Sequence, residues 1–237
     1  MPIYIWFFTL LAAVGIPAVT CVALYRGARS IGRSRRSAAR TAAVAGAGWA
    51  AWTAVIWALA AAGLFHLPPT EQQPWIPLAF VVGIGVAFAA SKLPGVRAIL
   101  AAPGALRLLA WPQVLRVAGV VFLLAMIIGK LPAAFALPAG LGDIAVGLAA
   151  PFAIRSGRVL WLNITGLLDL VVAMTLGFLT GVGQRVVLDV TPSAEQAGTL
   201  PLVLVPLAAV PLAVALHLVS FVALARESRR RSVVPAS

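Results

Sequence analysis

Long apolar runs separated by short basic or turn-rich breaks make up most of the chain. A membrane-spanning helix needs about 20 mainly apolar residues to cross a hydrocarbon core of about 30 Å. Seven segments reach or approach that length: 2–25, 42–65, 75–91, 113–131, 134–154, 159–181 and 200–225. The third is short, and the fourth and fifth are nearly fused. Between the third and fourth, residues 95–111 alternate Val96, Ile99, Leu100, Leu106, Leu108, Leu109 and Trp111 with Arg97 and Arg107, bracketed by Pro94 and Pro112. An amphipathic stretch of this kind, ending in Trp, reads as a helix lying in the membrane interface, with a re-entrant loop as the alternative. The predicted fold class is therefore an all-α, polytopic integral membrane bundle of about seven helices, forming a single transmembrane domain over residues 1–237.

Composition supports this pattern. Of 237 residues, 62% are hydrophobic and only 10% charged, against roughly 45–50% and about 25% in soluble domains. The first run carries no Lys or Arg before residue 26, which is the reverse of a signal peptide's basic start, so it reads as a retained helix with its N-terminus outside. The basic residues then alternate as the positive-inside rule requires. Of 18 in total, Lys130 and Arg185 fall on the outer side and the other 16 on the cytoplasmic side, with the C-terminus. Glu71, Asp189 and Glu195 fall in outer loops, and in the last of these, residues 183–198, the run from Arg185 to Val190 reads as a short strand or an interfacial turn. The net charge of +12 is thus a record of topology, and the expected partner is the lipid bilayer rather than nucleic acid. A second membrane protein or a second copy of the chain stays open as a partner. The lone Cys21 admits no intramolecular disulfide. Abundant Ala, Gly, Pro and Arg match a GC-rich bacterial genome, hence an inner-membrane location.

Ionisable groups inside such helices are expensive and are functional hypotheses by default. Asp169 lies near the middle of the sixth segment, with Thr165, Ala173 and Gly177 expected on its face. Asp143 follows Pro138-Ala139-Gly140-Leu141-Gly142. It is either the N-cap of a half-helix after an unwound stretch, as in transporter sites, or a first-turn acid of a helix that starts at Pro138. The fifth and sixth segments are joined by a short turn, and each acid lies about 12 residues from it. At 1.5 Å per residue the two carboxylates then stand at similar height, with Ala139, Gly140 and Gly147 beside Asp143. His217 in the seventh segment and Asn163 in the sixth complete the candidate polar site; His217 either forms a proton relay with Asp169 or hydrogen-bonds within the bundle, and Asn163, beside Trp161, reads as a packing or capping residue near the interface. Lys130 and Arg116 are expected to snorkel from helix ends.

His66 and His217 are too few for a zinc set, the seventh segment has no Lys for a retinal Schiff base, and no phosphate-binding glycine loop or nucleophile elbow occurs. Pro112-Gln113 stands once, without the paired repeats of PQ-loop families, and carries no family assignment. No cofactor is implied. The expected function is transport or permeation of a small or lipid-like molecule. The alternatives are a non-catalytic accessory or assembly subunit of a membrane complex and, third, a membrane enzyme acting on lipid. Reporter fusions after Arg36, Arg107, Arg158 and at the C-terminus should report the cytoplasm, and fusions after Gln72 and Ala197 the opposite side. A C-terminal fusion reporting the outside would overturn this topology.

Overall fold

The computed structural model describes residues 1–66, 73–102, 104–183 and 186–233, with residues 227–233 described by backbone alone. Glu71, Gln72, Arg185 and the side chains of Arg229, Arg230 and Arg231, all used in the charge argument, lie outside the described residues. Within them the protein is helical and has no strand. In chain order the helices are α1 (Ile3–Ser30), α2 (Arg35–Ala61), α3 (Trp75–Ala90), α4 (Pro94–Leu100), α5 (Ala105–Ala110), α6 (Val120–Ile127), α7 (Ala133–Ser156), α8 (Val159–Thr180) and α9 (Val210–Val233). A 3₁₀ stretch, Trp111–Gly119, joins α5 to α6, so Ala105–Ile127 runs as one membrane-length helix. Six helices are long and apolar enough to cross a membrane, or seven if α3 and α4, bent by 79° at their junction, are one broken span.

Large apolar side chains point outward along these helices, among them Phe7, Ile127, Phe152 and Leu168. Arg116, Asn163 and His217 are buried inside. Water-facing monomers rarely expose contiguous apolar surface on this scale, and the long apolar helices suggest a membrane protein.

Three sequence expectations change. Residues 95–111 do not form one interfacial helix. Gly104 takes a left-handed φ of 83°, which glycine adopts without strain, and the chain restarts there as the Ala105–Ile127 helix. Only α4 stays separate, and it packs on the end of α1, where a side chain at Gly27 would meet Ile99 at 2.3 Å. Second, α7 is continuous from Ala133, with Pro138 and Pro151 inside it, so Asp143 neither caps a half-helix nor sits in a first turn. Third, the described residues of the segment after α8 form no strand. The backbone N–H groups of Val187 and Leu188 both bond to the Leu179 carbonyl, and that of Ala194 to Thr180. This folds the segment back over the helix end.

The approach to α9 is a π-helical turn, Val205–Ala209. Pro211 has no N–H, so the Leu207 carbonyl cannot receive the usual i+4 bond. Trp52 of α2 supplies the donor instead, with Nε1 2.8 Å from Leu207 O, and Trp49 Nε1 donates to Ala208 O at 3.2 Å. Those two indoles tie α2 to the π turn, while the helix otherwise packs on α1. Trp52→Phe should therefore lower stability by about 1 kcal/mol. In a Pro211→Ala background, which restores the missing N–H, the same change should be smaller. Thermal unfolding of the four proteins in detergent gives the cycle, and an unchanged effect of Trp52→Phe in both backgrounds would contradict the assignment.

Candidate functional site

The 3₁₀ stretch determines which side chains reach the interior. At three residues per turn, positions 113, 116 and 119 eclipse one another, and Gln113, Arg116 and Gly119 are all buried along that line. The facing helix is α7, which presents Gly140, Asp143 and Gly147, spaced to share one face. A side chain at Gly147 would lie 2.7 Å from Val117 N, one at Gly140 2.7 Å from Leu123, and one at Gly119 2.3 Å from Asp143 Cβ. Hydrogen in place of Cβ at these positions permits the close approach, as small residues do in membrane bundles generally.

Arg116 does not snorkel. It is 3% exposed and lies midway along Ala105–Ile127, where its stem cannot reach either end. Its Nε donates to Asp143 Oδ1 at 2.7 Å, its Nη1 to the Gly166 carbonyl at 3.0 Å, and its Nη2 to Asp169 Oδ2. One guanidinium thus holds α7 through Asp143 and α8 through both Asp169 and the backbone. The planar fork of Arg suits this split, which the single ammonium of Lys could not reproduce. Gly142 lets Asp169 in, since a Cβ there would fall 1.6 Å from Asp169 Oδ1.

Thr165 stands one turn before Asp169 on α8 and is exposed. Its hydroxyl turns outward and donates to Trp161 O at 2.8 Å, and Gly166 takes the inward position. Against Gly166 packs His217, fully buried, with Cε1 and Nε2 each 2.7 Å from where a Cβ would stand and Arg116 Nη1 3.1 Å from the same point. Asn163 Nδ2 donates to Val159 O at 2.9 Å, which leaves Oδ1 as the acceptor 2.7 Å from His217 Nδ1. His217 therefore carries its proton on Nδ1 when neutral. Its Nε2 is then a buried lone pair without a hydrogen-bond partner.

The structure thus gathers all four residues singled out from the sequence, Asp143, Asp169, His217 and Asn163. It joins the acids through Arg116 and the His to Asn163, with Gly166 between the two pairs. Two carboxylates thus face one guanidinium in the cluster. Lys130 is exposed beyond the end of α6, and His66 is exposed near the end of α2. Among the described residues no three His, Cys, Asp or Glu side chains come together as a metal ligand set.

A second feature had no sequence signal. A partly open cavity of about 600 Å³ is lined by residues of α1, α2, α3, α4, α5 and α9. Its walls include Leu24, Trp49, Val86, Leu100, Leu212 and Leu216, and its polar side chains include Arg33, Ser37 and Arg40. A shallower groove of about 540 Å³ runs between α1 and α2. None of the cluster residues lines either cavity.

Residues 73–225 match the family model described as a domain of unknown function, DUF8737. The chain belongs to this family. No curated protein and no solved structure matches it. The DUF8737 region contains Arg116, Asp143, Asn163, Asp169 and His217 together with α3, α4 and most of α9, whereas α1 and α2 precede it.

Removing Arg116 should strand two buried acids. Arg116→Met is expected to lower stability by about 3–5 kcal/mol, and the triple change Arg116→Met, Asp143→Asn, Asp169→Asn to recover much of that loss. Gly142→Ala should reduce folded protein sharply. Gly85→Ala, where nothing lies within 4 Å, serves as the tolerated control. Size-exclusion recovery and thermal unfolding read both sets, and a triple variant no better than Arg116→Met would contradict the ion-pair account.

Proposed function

We propose that this protein is a multi-pass membrane protein of transporter or permease type that moves a small or lipid-like molecule through the chamber beneath α2. The chamber carries the reading. At about 600 Å³ it lies within the size range of pockets that enclose whole ligands, and it is walled mainly by apolar side chains. The wall that can move is α2, since most of its surface is unburied and its contacts with the π turn are two indole hydrogen bonds.

The chamber and the charged cluster share α9. Leu212, Ala215, Leu216 and Val219 line the chamber, and His217 lies roughly 150° around the helix from their mean direction, given 100° per residue. A shift of α9 would thus be felt on both sides, which supports a cluster that responds to the chamber's occupancy without touching the cargo. The proposal includes seven crossings, with α3 and α4 as a broken span, and an N-terminus outside. Setting Arg116 apart as buried, 15 of the 18 basic residues remain on the proposed cytoplasmic side against Lys130 and Arg185. The proposed location is a bacterial inner membrane.

A second reading, an accessory or assembly subunit whose acids only hold helices together, is favoured by the closure of the cluster, which neither the chamber nor the groove reaches. One experiment separates the two. Gly48 lines the chamber and has nothing within 4 Å of a would-be Cβ, so Gly48→Trp fills the space without forcing the fold. Protein purified into nanodiscs should retain a lipid-like molecule in native mass spectra. Gly48→Trp should cut that occupancy by about tenfold or more, the effect of losing about 1.4 kcal/mol of binding. An empty chamber in the parent protein, or equal occupancy in the variant, would refute the transport reading and leave the subunit reading.

A further inference from the structure

The face of α2 that lines the chamber changes character along its length. Ser37, Arg40, Thr41, Val44, Ala45, Gly48 and Trp49 follow a helical repeat of three and four. The first three are polar or cationic, and the last four are apolar or glycine. Arg33, just before the helix, belongs to the same polar end, and its Nη1 lies 3.3 Å from the position of a Gly95 Cβ across the chamber. Neither Arg33 nor Arg40 has a carboxylate partner among the described residues, where the ion pairs are those of Arg116. The Thr41 hydroxyl donates to Ser37 O and the Ser91 hydroxyl to Phe88 O, so the donors left for a guest at this end are those of Arg33, Arg40 and Ser37. The chamber is a two-part site, cationic at one end and dry at the other.

Its opening fits a guest that enters from the side. α2 and α3 meet at one level, where a Gly83 side chain would lie 3.1 Å from Trp52 Cζ2. Away from it α2 packs on α1 and α3 on α9. Arg33 and Arg40 on one side and Ser91 on the other line the chamber.

We propose that the chamber binds a membrane lipid with an anionic, phosphate-bearing head group, its phosphate held by Arg33 and Arg40 and an acyl chain lying along Val44, Gly48, Trp49 and Leu216. Charge complementarity selects the head and the apolar wall selects the chain. Arginine matches phosphate through its paired N–H groups. Free phosphate would satisfy only the polar end and leave the apolar length uncovered. This assignment rests on the chamber being the binding site proposed above, and adds the head-group class and the residues that read it.

Cys21 is the single cysteine and lines both the chamber and the groove between α1 and α2, so in a full-length Cys21→Ser, Gly48→Cys background the alkylation rate at position 48, which lines the chamber and not the groove, reports occupancy. Phosphatidylglycerol added to the detergent-purified protein should slow alkylation about tenfold more than phosphatidylcholine at equal mole fraction, in keeping with two arginines near an anionic head group. The double variant Arg33→Gln, Arg40→Gln should erase that preference, and Arg33→Lys, Arg40→Lys should keep most of it. Arg155→Gln, Arg158→Gln removes the same charge from a region outside the chamber and should leave the preference intact. Circular dichroism confirms that each variant is folded. Equal protection by the two lipids, or loss of preference in the Arg155 and Arg158 variant as well, would overturn the head-group assignment while the chamber stands as a lipid site. Protection by inorganic phosphate alone would overturn the lipid as its source. No protection by either lipid would sink both this inference and the transport reading.

Discussion

Arg116 is the charge on which the arrangement of the central helices depends. A guanidinium inside an apolar bundle is tolerable only when its donors are taken up, and here three helices must come together to do so: its own, α7 with Asp143, and α8 with Asp169 and the Gly166 carbonyl. Everything around it serves that meeting. Gly119, Gly140, Gly142, Gly147 and Gly166 remove the side chains that would hold the backbones apart. The 3₁₀ winding of Trp111–Gly119 aligns Gln113, Arg116 and Gly119 toward α7. Apolar attraction between helices is weak in a membrane, where lipid tails compete for the same contacts, so a specific polar node of this kind fixes position more firmly than packing alone.

The apolar runs were legible because lipid imposes a length and a composition on each of them, and most helices stand close to where the pattern put them. Asp143 and Asp169 could be matched in height because a short turn between antiparallel helices acts as a ruler. Their partner was not legible for a physical reason. Counting Arg107 as interfacial started the fourth segment at residue 113, which made Arg116 a helix-end residue able to reach water. Once Ala105 begins the helix, the same residue is central. The signal was present in a different form: two acids within apolar helices require a cation, and Arg116 is the Arg set deepest in an apolar run. The fracture of residues 95–111 was likewise written in Pro103-Gly104, which breaks the amphipathic repeat that the pattern suggested.

The chamber could not be read from sequence at all. Its residues come from six helices, and no spacing rule links Arg33 to Gly95 or Trp49 to Leu216. What the sequence did carry was α2's own gradient from arginine to alanine and glycine, a pattern that resembles ordinary cytoplasmic flanking charge until the neighbouring helices are in place. α2 also lies outside the matched family region. The chamber is thus built jointly from that region and from helices that precede it.

The π turn at Val205–Ala209 has a consequence of phase. A helix converts each residue into about 100° of rotation, so the direction in which α9 points His217 is set by how many residues separate it from the indoles that grip Leu207 and Ala208. The wide turn absorbs a residue that a regular helix of the same length would not accommodate. Were the turn to close to a regular helix with every residue kept, the rest of α9 would rotate like a key in a lock, swinging His217 off Asn163 and the leucines off the chamber in one motion. The two faces of α9 are therefore not independently adjustable: a change that retunes one retunes the other.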